Sequence, residues 1–486
     1  MESILNKKEN EQYEIIKLLY SEMRYWTIAE IQEKIFLSKV TISKNLEAID
    51  TMFEKYDGQI SLIFSKKGVY LEKAFDFNLS QILLVFLEES LFFKFIHVLF
   101  TNRQTTVKKF CGDNYISISY FYKLMKQHSH ILENYQVHID FINMEFVGEE
   151  ISIRHFLFNF YWNSYKGIEW PFKEISEKEL LDSISQEEAT LNVSISYIER
   201  AKYCYFVAIS RNRIGLKHYS RSYRKPYYFF PNEAHEMLRN ALKGLFNSEV
   251  LPEDIAEREI TQLEILLNIY LRTYEDFDAK RNIIMNSMLY NATTYRNAKL
   301  VLAEFKKTLL VDFSTSSEFL VTLLKIHAQG LLLRESATVY KKDELLNYYN
   351  EKYPTYSRLL KQCIENLEKE TDFNNPFQQK DFLFLKYTFL LERYYDLSFF
   401  EKEIKIRVLL SEGLSLERIL AREIEKKISG NIKILTETYK KDNADIIISD
   451  FNLSIDDNAT LFVVNYPLVE GDWVHLSALV KRLSSI

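Results

Sequence analysis

Lys39, Thr41, Ser43, Lys44 and Asn45 lie close together in the stretch S-K-V-T-I-S-K-N that opens at Ser38. Hydroxyls and ammoniums bind phosphate oxygens, while amides and lysines read base edges, which is the chemistry of a helix in a DNA major groove. Ile42, Leu46 and Ile49 recur between them at helical spacing, so the polar set would share one face and the apolar set the other. Ser117, Ser119, Tyr120, Tyr122, Lys123 and Lys126 form a second such set. Laying Ser38 on Ser117 puts Ile42 on Phe121, Leu46 on Met125 and Lys44 on Lys123. Between 101 and 130 the charges are Arg103, Lys108, Lys109, Lys123 and Lys126 against Asp113 alone. That basic patch is about what one DNA-binding module needs. The competing reading for each set is a helical hairpin with an ordinary solvated face.

A different chemistry is offered between 200 and 225. Arg200, Lys202, Arg211, Arg213, Lys217, Arg221, Arg224 and Lys225 stand there without an acid, and His218 sits among them. An imidazole in a cationic loop can accept a phosphoryl group, with arginines neutralising the transferred charge. A surface loop with a spare histidine, or a patch that helps to hold DNA, are the alternatives. His327, in K-I-H-A-Q-G, has a roughly similar place further on, but its apolar neighbours favour a packed side chain.

These side chains need elements to hold them. Thr27 with Glu30 makes a capping box for a helix whose apolar face is Ile28, Ile31 and Ile35. That helix gives way near Phe36, and Ser38 caps the next, which is the spacing of a helix-turn-helix. A helix over 11–20 precedes it. Residues 61–65 and 69–72 alternate as strands about a Lys66-Lys67-Gly68 turn, so a wing follows, with two lysines at its tip. Residues 75–100 read as a connecting helical region. A short helix over 105–111, the helix from Ser117 and a strand through Val137, Ile139 and Phe141 make a second winged helix.

From about 171 to 396 the pattern is wholly helical and reads as two copies of one bundle. The first has helices near 176–185, 193–213, 233–246 and 252–277; the second near 294–310, 316–333, 355–370 and 379–395. The period then changes. Apolar strands over 405–410, 432–435, 445–449 and 460–465 alternate with helices over 416–428 and 472–483, indicating a small α/β domain with a parallel sheet. The fold class is therefore mainly α and multidomain: winged helix 1–75, connecting helix 76–100, winged helix 101–168, helical-bundle regulatory domains 169–284 and 285–398, and an α/β domain over 399–486.

Composition supports several helical domains. The chain has 486 residues, with only 11 glycines and 7 prolines. Its net charge of -6 gives no global basic signature, so DNA binding must rest on local patches. Cys111, Cys204 and Cys363 form neither a metal spacing nor a disulfide framework, which fits a reducing cytoplasm, and no cofactor is expected. The start N-K-K-E-N-E-Q predicts no signal peptide. The most apolar run, 82–100, carries Glu88, Glu89, Lys94 and His97, and reads as buried and not membrane-spanning.

The stretch I-S-I-S-Y-F-Y-K-L-M-K-Q (116–127), followed by G-E-E-I-S-I-R-H-F-L-F-N-F-Y-W (148–162), resembles the Mga/AtxA-like virulence regulators of Gram-positive bacteria. The order of domains resembles them too, over essentially the whole chain. The resemblance implies transcription factors with two winged helices, two regulatory domains of the phosphotransferase-system type (PRD) and an EIIB-like C-terminal domain. It implies double-stranded promoter DNA as partner, homodimers or larger assemblies through the C-terminal domain, and contacts with the phosphocarrier protein of sugar uptake and with RNA polymerase. It carries phosphate control onto His218 by an R-x-x-x-x-H pattern, and more weakly onto His327. A further histidine can follow in the family; here Ser220 and Arg221 stand beyond His218. EIIB domains use a cysteine at the end of the first strand, where this chain has Ser411-Glu412-Gly413, so no phosphocysteine chemistry is expected. A non-enzymatic activator is the leading expectation. A phosphocarrier or enzyme component of sugar transport, or an RNA-binding antiterminator, are the alternatives.

Overall fold

Asn6, Thr27 and Ser38 each accept a hydrogen bond from the backbone amide three residues on, and each starts a helix. These are α1 (Lys7–Ser21), α2 (Ile28–Ile35) and α3 (Lys39–Phe53). The caps of α1 and α2 are reciprocal, because Glu9 and Glu30 reach back to the cap amides. The Asn6 cap starts α1 four residues before the expected 11–20. Phe36 takes a left-handed conformation (φ 60°) and turns the chain from α2 into α3. Ile31, Ile42, Leu46 and Ile49 are buried between the helices.

The wing follows as strands β1 (Ile60–Ser65) and β2 (Gly68–Lys73), paired with Ser65 opposite Gly68 across a two-residue turn. Trp26 adds a bridge to Val69, with amide–carbonyl bonds of 2.8 and 2.9 Å running both ways. Gly68 has φ 123°, and a Cβ there would stand 2.2 Å from the Trp26 carbonyl oxygen. No other residue fits that crossing.

The structure is a computed structural model, and it describes residues 2–101, 105–191, 196–221, 251–270, 281, 284–285, 287–289, 292–333, 341–370, 376–428, 430–435, 444–453 and 459–484. The chain divides into two compact units, Met1–Ala279 and Lys280–Ile486.

In the first unit, the connecting helix expected over 76–100 is two helices, α4 (Ser80–Glu89) and α5 (Leu91–Thr101). The break is at Ser90, which leaves the helical backbone (ψ 131°) and donates its buried hydroxyl to the Ile4 carbonyl at 3.0 Å. Phe95 of α5 packs edge-on against Phe110 and Phe121, so α5 serves as the first helix of the second winged module. That module continues through α6 (Val107–Asp113), α7 (Ile118–Gln127), α8 (Ser129–Glu133), β3 (His138–Asp140) and β4 (Glu145–Val147). Phe141, expected in the strand, lies in the hairpin turn instead. Asp140 closes that turn by accepting the amides of Ile142 and Asn143.

The helices α9 (Glu150–Tyr165), α10 (Glu177–Leu191), α11 (Tyr197–Gly215) and α12 (Glu253–Tyr270) follow. The helix expected over 233–246, with Arg103, Arg224 and Lys225, lies outside the described residues. α9 is buried on nearly all sides; Phe93 stacks on its Phe160 at 4.7 Å, and Phe206 of α11 on its Phe158 at 3.9 Å.

The second unit holds a helical bundle and the α/β domain. The bundle comprises α13 (Thr293–Glu304), α14 (Ser317–Leu333), α15 (Lys342–Lys352), α16 (Pro354–Glu370) and α17 (Lys380–Leu391). One π-helical turn, Phe305–Leu309, extends α13 to the end expected for it. α15 was not legible, because K-D-E-L-L-N-Y-Y-N-E-K is polar and buries Tyr349 alone. In the α/β domain, β5 (Ile404–Leu409), β6 (Ile432–Leu435), β7 (Ile446–Ser449) and β8 (Thr460–Val463) pair in the order β6-β5-β7-β8, all parallel. The helices α18 (Leu414–Lys427) and α19 (Glu470–Ser484) bury Leu420, Ile424, Trp473 and Leu476 against this sheet. Among the described residues, no helix is long and apolar enough to cross a membrane.

Gly68→Ala should destabilise the first winged module by at least about 1 kcal/mol, because the residue needs positive φ and the bridge leaves no room for a Cβ. Denaturant unfolding of the variant against wild type measures it.

Candidate nucleic-acid interface and regulatory histidine loop

Ser38 and Ser117 do the same work at the two recognition helices. Ser38 Oγ accepts the Thr41 amide at 3.1 Å and Ser117 Oγ accepts the Tyr120 amide at 3.1 Å. The caps set the phase of each helix. Ile42 and Leu46 of α3, and Phe121 and Met125 of α7, all point into the core. Lys39, Ser43 and Lys44 are then exposed on α3, and Ser119, Tyr120, Lys123 and Lys126 on α7. Neither helix has an acid in its first turn, and α7 has none along its length.

Three side chains sit differently from the simple face. Asn45 is buried and donates to Glu11 of α1 at 3.3 Å, so it braces the motif and does not face outward. The Thr41 hydroxyl is half-buried and bonded to Ser38 Oγ at 2.8 Å. Tyr122 is exposed on one edge but packs its ring on Phe121 and Phe141, at the flank of α7.

The two wings are unlike. The first presents Lys66 and Lys67, both exposed, with the Lys67 amide tied to Ser65 Oγ. The second presents Ile142 and Asn143 beside Asp140, with no cation at its tip. Lys108 and Lys109 of α6 are exposed and keep the second module basic.

His218 lies three residues past the end of α11, half-buried beside Lys217. The expected cationic loop is mostly helix, since α11 runs to Gly215. Arg213 in particular is no loop cation: it is buried, and donates from Nε and from its terminal nitrogen to the two oxygens of Glu150, each at 2.8 Å. Arg154, fully buried one turn after Glu150, donates to Glu150 at 3.0 Å and pairs with Glu259 of α12 at 2.6 Å. This four-charge cluster pins the histidine loop by its backbone. Arg154 donates to the His218 carbonyl at 3.3 Å, the Ser220 amide donates to Glu259 at 2.6 Å, and the His218 amide donates to the Arg213 carbonyl at 3.0 Å.

Burial pushes the Glu150 carboxyl up, but the Arg213 bonds and the Arg154 charge outweigh it and hold it below its ordinary value. Burial, helped by the Arg213 charge, holds the His218 imidazole below its ordinary value. His218 is thus predominantly neutral near pH 7, the form that can act as a nucleophile.

Sequence reasoning did not find Glu150 and Glu259 as parts of this site. The signal for the first was present: an acid and an arginine at i and i+4, in a run as aromatic as R-H-F-L-F-N-F-Y-W, must be buried together and need further partners.

His327 is placed otherwise. It is fully buried, with Nε2 2.7 Å from the Tyr387 hydroxyl and Nδ1 3.4 Å from the Thr294 carbonyl. Neither nitrogen faces solvent, so this arrangement offers no acceptor for a phosphoryl donor.

In the α/β domain, the Ser411 loop is already filled by carboxylates of the chain itself. Asp450 accepts both the amide (2.8 Å) and the hydroxyl of Ser411, and Glu417 accepts the Leu410 amide at 3.2 Å. The Ser411 bonds hold the Asp450 carboxyl below its ordinary value.

The Mga helix-turn-helix domain family matches residues 75–161, which run from just before α4 into α9. Capsule synthesis positive regulator AcpB of Bacillus anthracis is 21% identical, over 97% of this chain and 98% of its own length. Capsule synthesis positive regulator AcpA of the same organism is 22% identical, over 91% and 92%. Transcriptional regulator ManR of Bacillus subtilis is 24% identical over 36% of this chain and 28% of its own.

Burial holds His327 down at about 4, against an ordinary 6.5. The unfolded chain then binds a proton near 6.5 that the folded chain refuses until about 4. Stability is therefore fully present above the unfolded value and falls as pH drops through that window, by on the order of 3 kcal/mol. His327→Gln should flatten the dependence, read by denaturant unfolding of both proteins across the window.

Proposed function

We infer that this chain, an Mga/AtxA-like DNA-binding transcription regulator, grips promoter DNA with both winged modules and activates transcription under the control of phosphate on His218. The observation that carries the DNA-binding surface is the pair of serine-capped helices. Both expose lysines and hydroxyls from equivalent positions, with no acid in the first turn. Ser38, Lys39, Thr41, Ser43 and Lys44 would serve the first groove, with Lys66 and Lys67 on adjoining phosphates. Ser117, Ser119, Tyr120, Lys123 and Lys126 would serve the second, with Tyr122 at its edge.

Phosphate control is supported by a neutral, half-buried imidazole held in a loop beside buried arginines. The donor would be the phosphocarrier protein of sugar uptake. The chain is then a regulator and not a phosphocarrier or enzyme, a reading supported by the Ser411 loop, which has no cysteine and whose amide and hydroxyl are taken by Asp450. Self-association through the C-terminal domain, contact with RNA polymerase and a cytoplasmic location belong to the same proposal.

Lys123→Ala with Lys126→Ala should weaken promoter binding and reduce the slope of log affinity against log salt by about 2, since each lysine lost leaves a phosphate with its counterions. Binding measured at several salt concentrations tests it. A double variant that binds like the parent, with the same slope, removes α7 from the interface. Lys39→Ala with Lys44→Ala, tested the same way, ranks the two helices.

A further inference from the structure

Arg213 is the point where the second wing and the histidine loop meet. Its guanidinium holds both oxygens of Glu150, the first residue of α9, and lies over the Phe146 ring of β4 at 5.9 Å. Its carbonyl accepts the His218 amide. On one side, β4 and the residues up to Glu150 line a cavity of about 590 Å3; on the other side the cavity is lined by the 217–221 loop. Gly148, between β4 and α9, has φ 155°, and a Cβ there would meet the Gln136 carbonyl at 2.9 Å, so the wing fits closely against the preceding chain. The cavity walls carry Glu145, Glu149 and Glu150 from the wing side, and Lys217, His218 and Arg221 from the loop side.

We propose that Arg213 has two claimants: Glu150 while His218 is unmodified, and the phosphoryl group once His218 carries one, so that charging His218 loosens β4 and the start of α9. The proposal rests on His218 as the acceptor. A phosphoryl group brings about −1.5 to −2 of charge near neutral pH and three acceptor oxygens. Arginine takes such a group bidentately, as it now takes Glu150. The same charge repels Glu145 and Glu150, so attraction and repulsion act in one direction. His218 already feels Arg213, Glu150, Glu145 and Arg154 electrostatically, and burial disfavours its charged form. The wing that is released is a short one, three residues paired with three.

Phosphoramidate tests this on the full chain. Its phosphorus–nitrogen bond breaks as one forms to the imidazole nitrogen, and the ring proton leaves with the ammonia as ammonium. Hydrogen exchange is then followed over 138–152, with mass spectrometry locating the label. The expected result is label on His218 and at least tenfold faster exchange of the β3, β4 and first α9-turn amides. His218→Ala treated alike should show no change. Label on His218 with unchanged exchange overturns the coupling and leaves the acceptor reading standing. Absence of label overturns the acceptor reading; His218→Glu, which sets a carboxylate in the same place, then decides the coupling. Faster exchange in His218→Glu than in His218→Gln supports it, and equal exchange overturns it.

Discussion

Four charges with almost no access to water, Glu150, Arg154, Arg213 and Glu259, hold the first unit together where three helices meet. Each carboxylate touches an arginine and each arginine a carboxylate, so their desolvation is offset only while the set is complete. Removing one partner from such a pair costs about 3–5 kcal/mol, because the other charge is left buried and alone. Buried ion pairs of this kind often contribute no more to stability than apolar residues of the same volume. What the charges add is direction: they fix the registry of α9 against α11 and α12, and their spare donors and acceptors fix the loop that carries His218.

The winged modules depend on a smaller device used twice. A serine cap sets the phase of a helix, and the phase decides which side chains are core and which are surface. The identity of the apolar residues matters less than their spacing, which is why Ile42 and Leu46 can stand where Phe121 and Met125 do. The wings show the limits of the repetition. One is long, cationic and stitched to Trp26; the other is short, closed by Asp140, and leans on the charge cluster behind it.

Most of this architecture was legible because it is local. Caps, turns and apolar periods lie within a few residues of one another, so both winged modules, most of the described helices and the parallel sheet could be read along the chain. What could not be read depends on distance. Asn45 looks like a base-reading amide until Glu11, 34 residues away, claims it. Arg213 looks like a loop cation until Glu150 claims it across 63 residues. The break at Ser90 answers to the Ile4 carbonyl. In each case the sequence showed the right kind of side chain, and a tertiary partner decided what it does.

The short turn at Ser90 bears on the way the two winged modules are joined. α4 and the residues leading into it are held to the first module by Phe86 and Phe77, which pack on Tyr13 and Tyr56, and α4 is held to α9 by the bond from Tyr165 to Glu88. Ser90 staples its far end to the N-terminal turn. The joint between the recognition helices is therefore a packed hinge block and not a tether. Their separation and twist are set by the packing of the protein itself.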